Sequence, residues 1–141
     1  MGVRLYSKRS YNKEKNNNDD IKRINQLIRL TENDDVGQYM DSTYLKTPEQ
    51  AGIDEYETEL IVFDTIKDAM EHNMKLVMLR PEYVQLARTL IDDKGGNLLV
   101  GTVIGFPHGD NSHGEKMDEA LKAIQDGVDE LDFVVNYKAF K

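Results

Sequence analysis

Hydrophobic and polar positions along the second half of this 141-residue chain alternate between two periods. Val62, Ile66, Ala69 and Met70 recur at i, i+4, i+7 and i+8, which places them on one helical face and predicts a helix over 57–72. Lys75–Arg80 follows as a short apolar strand. Pro81 opens a second helix at a position where its missing N–H forfeits no bond; Tyr83, Leu86, Ala87 and Leu90 line its face, and Gly95-Gly96 end it. Leu98–Ile104 is a continuous apolar run, the pattern of a strand covered on both faces. Ser112-His113-Gly114-Glu115 has the spacing of a capping box, Met117, Ala120, Leu121 and Ile124 form the buried stripe behind it, and Gly127 closes that helix. Leu131–Asn136 reads as a third strand.

Strands starting near 75, 98 and 131, each separated by one helix, are successive βα units of a parallel sheet. The predicted fold is α/β, a partial TIM (β/α)8 barrel of about three parallel strands with intervening helices. Complete barrels usually take about 250 residues and rarely fewer than about 200, so the chain is expected to carry only the N-terminal part of such a domain, over 20–141. Residues 1–19 are polar, show no apolar period and are expected to be a disordered extension. In 20–32, Ile21, Ile24 and Ile28 share a helical face with Leu27 beside them, which predicts a short amphipathic helix. Residues 33–56 look loop-like and acidic, with Tyr39–Pro48 as a tucked-in turn. Three parallel strands leave two unpaired edges, so a homo-oligomer, another partner or missing sequence is expected to cover them.

Composition narrows the partners. No apolar run approaches the roughly 18 residues of a membrane span, and a formal charge of −8 disfavours nucleic acid, whose phosphates need clustered Lys and Arg. The basic N-terminus lacks the apolar core of a secretory signal, and the absence of cysteine leaves no disulfide framework; a cytoplasmic setting fits both.

One residue stands out against the pattern. Asp132 lies inside Leu131-Asp132-Phe133-Val134-Val135, and a carboxylate on a buried strand is costly unless it is paired or used chemically. Strand alternation groups Asp132, Val134 and Asn136 on one face and leaves Leu131, Phe133 and Val135 for the helices. That assignment points Asp132 to the barrel interior near the C-terminal mouth, where such barrels keep their chemistry; the plain alternative is a strand-end carboxylate facing solvent or capping a helix. His108, Asp110 and His113 do not make a metal site, since the glycine-punctuated run holds no further ligand cluster. His108 reads instead as a loop residue bonded to backbone, His113 as part of the helix cap, and Met78 as core packing. Lys46, Lys75, Lys138 and Lys141 read as solvent-facing, because nothing near them in sequence would desolvate an amine.

Thr102-Val103-Ile104-Gly105-Phe106-Pro107-His108-Gly109, a helix, and then Asp126-Gly127-Val128-Asp129-Glu130-Leu131-Asp132-Phe133-Val134-Val135-Asn136 together resemble the class I deoxyribose-phosphate aldolase family. Upstream, Tyr39-Met40-Asp41-Ser42-Thr43-Tyr44-Leu45-Lys46-Thr47-Pro48-Glu49 is similar to that family's entry segment, which reads like Y-I-D-H-T-L-L-K-P. The resemblance runs from about Tyr39 to Lys141 and weakens over 49–73. It implies a barrel that reversibly cleaves 2-deoxy-D-ribose 5-phosphate to D-glyceraldehyde 3-phosphate and acetaldehyde through a lysine Schiff base, without cofactor or metal. By the same resemblance Asp132 is the proton donor and acceptor working through water, Asp41 and Thr43 organise the mouth or bind substrate hydroxyls, and Phe106 lines the pocket.

Two departures accompany the resemblance. Met78 stands where the family often carries cysteine, and the chain ends before the strands that carry the Schiff-base lysine, its lysine neighbour and the phosphate loops. The 141 residues alone are therefore expected to be inactive. The alternatives are a non-catalytic, truncated half-barrel serving as a structural or assembly partner, or another Schiff-base barrel aldolase.

Overall fold

The computed structural model describes residues 19, 21–25 and 36–139. The chain divides into two compact units, residues 1–34 and 35–141. In the first, residues 19 and 21–25 are helical, with Ile21 and Ile24 exposed. Of the expected extension over 1–19, residue 19 is helical and 1–18 lie outside the described residues, as does the remainder of the expected helix over 20–32.

The second unit is a four-stranded parallel sheet, β1 (Asp41–Tyr44), β2 (Leu76–Leu79), β3 (Leu99–Ile104) and β4 (Glu130–Phe133), whose spatial order follows the chain. Helices α1 (Pro48–Ala51) and α2 (Glu55–Glu71) join β1 to β2, α3 (Val84–Asp93) joins β2 to β3, and α4 (His113–Gln125) joins β3 to β4. Short 3₁₀ turns occupy Val36–Tyr39, Pro81–Tyr83 and Tyr137–Ala139. An order without reversal is that of a singly wound barrel, whereas doubly wound sheets reverse direction and carry helices on both faces. Here one helix layer and one face of the sheet form a single core, in which Val62, Ile66, Val84, Ala87 and Ile91 pack on Val77, Leu79 and Val100. Each fully buried aliphatic side chain contributes about 1.5–3 kcal/mol. Among the described residues the architecture is thus three successive βα units followed by a fourth strand.

The helices begin where the sequence supplies caps. Asp54 and Glu57 exchange side-chain bonds with each other's backbone N–H at the start of α2, at 2.8 and 3.1 Å, and Ser112 and Glu115 do the same for α4. The longer helix begins at Glu55 rather than 57 because that box fixes its first turn. Thr47 and Gln50 form a third box at α1, inside the segment expected to be a loop.

Two strand expectations need correction. Asp41–Tyr44, expected within a turn, is a strand, so the sheet has four strands rather than about three. Its residues carry no apolar run; the parallel ladder with Leu76–Leu79 makes it a strand, a tertiary effect that outweighs propensity. The last strand stops at Phe133 rather than Asn136, because its partner β3 stops at Ile104 and Gly105 turns away at φ +69°. The Val134 N–H makes one further bond, to the Ile104 carbonyl at 2.9 Å. Phe133 and Val135 have the register expected of the helix side but are 48% and 58% exposed, and Met117, Leu121 and Ile124 of the expected buried stripe are exposed as well, leaving Ala120 as its buried member, since no further helix of the described residues packs over that end of the sheet.

Candidate active site

Register decides which face each candidate occupies. In a parallel ladder, paired residues project to the same side, and Thr43, Met78, Gly101 and Glu130 form one such row. The neighbouring row, Tyr44, Leu79, Thr102 and Leu131, belongs to the helix side, as shown by Leu79 in the core and Tyr44 packed on it. Asp41, Thr43 and Asp132 therefore all lie on the inner face, opposite the helices. Asp132 pairs with Val103 at the C-terminal end of β4, the end at which (β/α) barrels do chemistry.

On that face Met78 is half-buried rather than enclosed in the helix-side core. Leu76 and Met78 lean over Gly101, where a Cβ would stand 2.8 Å from the Met78 Cε and 2.9 Å from a Leu76 methyl. A small residue at the centre of the arc thus makes room for two large ones.

The candidates are only partly brought together. Thr43 and Phe106 line one open cleft of about 420 Å³ with Tyr44, Leu45, Lys46, Gln50 and Pro107. Asp132 is on the same face but outside that cleft. β1 and β4 are three strand spacings apart, about 14 Å measured along the sheet, and Asp41 sits a further four register steps toward the N-terminal end. Asp132 is exposed, and its carboxylate forms no hydrogen bond or ion pair among the described residues.

His108 is exposed and, contrary to expectation, makes no backbone hydrogen bond among the described residues; His113 is the first residue of α4, directly after the Ser112 cap. No group of three or more His, Cys, Asp or Glu suited to a metal ion occurs among the described residues. Lys46, Lys75 and Lys138 are exposed as expected, while Lys141 lies outside the described residues. No helix among the described residues is long and apolar enough to cross a membrane.

Three residues that sequence reasoning passed over shape the site. Asp129, three positions before Asp132, accepts from the Val100 N–H at 2.8 Å and from the Arg88 guanidinium at 3.0 Å. It fastens the entrance of β4 to β3. Lys116 on α4 donates to the Gly109 carbonyl at 2.6 Å and the Val134 carbonyl at 2.8 Å, and Glu119 accepts from the Gly105 N–H at 2.8 Å. These last two border the loop that carries Phe106, whose peptide bond to Pro107 is cis. Spacing i, i+3 put Lys116 and Glu119 on one helix face, but nothing local identified their backbone partners.

No family model matches the chain. Among curated proteins, a deoxyribose-phosphate aldolase of Thermococcus gammatolerans is 35% identical over 107 residues, 76% of this chain and 44% of its own length. One from Staphylococcus carnosus is 36% identical over 107 residues, with the same shares. Among solved structures, an aldolase named QR15 superposes with a TM-score of 0.62 at 32% identity, covering 75% of this chain and 42% of its own. The tetrameric deoxyribose phosphate aldolase of Aeropyrum pernix gives 0.61 at 26% identity, covering 73% and 40%. The chain spans less than half the length of the curated relatives it matches. In sequence, in strand order and in the layer of helices over one face, the chain is similar to part of these deoxyribose-phosphate aldolases.

Proposed function

We propose that this chain contributes the four-stranded arc of a deoxyribose-phosphate aldolase that cleaves 2-deoxy-D-ribose 5-phosphate reversibly, in the cytoplasmic breakdown of deoxyribonucleotides. The observation that carries the proposal is Asp132, an exposed carboxylate on the inner face at the C-terminal end of β4, with no partner among the described residues that would occupy it. A lysine amine condenses with the substrate's C1 carbonyl and releases water. The C2–C3 bond then breaks as the C3 hydroxyl gives up its proton, freeing glyceraldehyde 3-phosphate and leaving an enamine. Protonation at C2 and hydrolysis yield acetaldehyde and restore the amine. Asp132, through a water molecule, is the group that takes and returns those protons. Thr43 and Phe106 border the sugar, and Asp41, at the N-terminal end of the first strand, lies on the inner face beneath them.

No lysine of these 141 residues is assigned as the nucleophile. Lys116 reaches the mouth loop with its ammonium committed to two backbone carbonyls, and Lys46, which borders the cleft, is exposed. The chain alone is accordingly inactive, and its outer strand edges are covered by further barrel sequence or by association. Residues 1–19 are an extension to this partial domain, which spans 20–141.

Borohydride reduction of the chain with substrate, followed by mass measurement, should give no adduct; a stoichiometric lysine adduct would place the nucleophile here. The function itself is tested by joining the full chain to the part of the T. gammatolerans relative that lies beyond its match. That chimera should cleave the sugar phosphate, and Asp132→Asn should lower kcat by about 10²–10⁴, the contribution of a positioned acid-base group. A folded chimera without activity would overturn the proposal.

A further inference from the structure

The loop after β3, the exit of β4 and the first turns of α4 meet at the half-buried side chain of Lys116. We propose that Lys116 is a positioning residue, a cationic clamp that fixes the loop bearing Phe106 to the backbone just beyond Asp132 and so sets the spacing between the two groups. The consequence for catalysis rests on the aldolase reading above; the clamp itself does not.

The geometry is specific. The Lys116 Nζ donates to Gly109 O at 2.6 Å, at the end of the loop, and to Val134 O at 2.8 Å, two residues past Asp132. One turn further along α4, Glu119 accepts from Gly105 N at 2.8 Å, at the start of the loop. Gly109 N donates to Gly105 O at 2.7 Å, which closes the segment on itself. The loop is therefore held at both ends by one helix face, and Lys116 alone of the two side chains also reaches the backbone just past β4.

Both glycines of the segment answer to this arrangement. Gly105 has φ +69°, and a Cβ there would stand 2.7 Å from the Lys116 Cε, so the lysine stem lies where a side chain would be. Gly109 also has φ +69°, and a Cβ there would fall into the Val135 carbonyl. The loop thus rests directly on the backbone that follows Asp132. An ammonium on a flexible four-carbon stem suits the task, since it offers three donors that can diverge to carbonyls on separate segments. The Ser112–Glu115 capping box immediately before Lys116 fixes the turn from which that stem departs.

Amide hydrogen exchange by NMR on the full chain tests the clamp, comparing Lys116 with Lys116→Met, which keeps the stem and loses the donors, and with Lys116→Arg, which keeps the donors. In Lys116→Met the Gly109 and Val134 amides should exchange at least about tenfold faster, as local opening replaces charge-assisted bonds. The Val100 amide, held by Asp129 at the opposite end of the β3–β4 ladder, should not change, and Lys116→Arg should restore protection. Unchanged exchange at Gly109 and Val134 would overturn the clamp. An equal rise at Val100 would make Lys116 a general folding residue and likewise overturn it. In the active chimera, Lys116→Met should lower kcat by about 10- to 100-fold, the cost of ångström-scale misplacement, with KM moved much less. An unaltered kcat would overturn the positioning role while leaving the aldolase reading intact; inactivity of the unsubstituted chimera would instead count against the aldolase reading.

Discussion

Asp129 and Asp132 lie three residues apart in one motif, and the structure assigns them opposite roles that a stability measurement can separate. In Asp129→Ala the Val100 N–H, half-buried in the β3–β4 ladder, loses its acceptor at 2.8 Å, and Arg88 loses one of its two carboxylate partners. A hydrogen bond to a charged acceptor contributes about 1.5–3 kcal/mol. The ion pair adds little, because the Arg88 and Asp129 side chains are 24% and 35% exposed and Arg88 keeps Asp92 at 3.0 Å; solvent screening holds such pairs to about 0–1 kcal/mol. The bond from Asp129 N to Val100 O survives the substitution. The expected loss is therefore about 2–3 kcal/mol. Asp132→Ala removes an exposed carboxylate without a partner among the described residues and should stay within about 0.5 kcal/mol. Urea unfolding followed by circular dichroism at 222 nm reads both variants, with equal m-values as the check that the same transition is compared. An Asp132→Ala loss as large as that of Asp129→Ala would refute the division of roles, since it would require a structural partner for Asp132.

Gly109→Ala should cost about 3 kcal/mol, because positive φ and collision with a carbonyl act together, whereas Gly95→Ala, at φ +64° with open space around it, should cost about 1 kcal/mol; the same urea titration compares them. Ser112→Ala removes the N-cap of α4 and should cost about 1 kcal/mol, visible as a lower thermal midpoint. The same serine holds the Glu115 carboxyl below its usual value by side-chain and backbone hydrogen bonds, so the box's contribution is present at neutral pH and fades as acid titrates that carboxylate. Burial, with Glu55 hydrogen-bonded at 3.2 Å and Glu82 and Glu59 nearby, pushes the Tyr83 phenol from 10.0 up to about 12. The folded-state value is the higher one, so this stabilisation is whole below pH 10 and is lost as pH rises toward 12. Tyr83→Phe should flatten that part of the alkaline unfolding curve, and an unchanged curve would refute the assignment.

Much of the arc was legible before any coordinates. The stripe Val62, Ile66, Ala69 and the Ser112–Glu115 box are local signals, readable because helix periodicity and capping involve residues within two turns. The inner-face placement of Asp132 followed from alternation along one strand. By contrast, Asp41–Tyr44 reads as a turn, because its strand character comes from a partner more than thirty residues away. Lys116 looks like one more solvated lysine, since its two acceptors are main-chain carbonyls that carry no signature in the sequence.

The sequence by itself thus determined the order of the last three strands and the helices between them, the capping box that starts α4 and the motif that carries the family resemblance, all consequences of short-range pattern. Only the tertiary structure decided that Thr43 and Phe106 share a cleft while Asp132 stands apart from it, that Asp129 is structural where Asp132 is free of protein partners among the described residues, and that Lys116 joins loop to strand. The physical reason is that these properties belong to strand register and to backbone groups brought together across the fold. A one-dimensional pattern records which side chains are apolar, but not which carbonyl a distant ammonium will find.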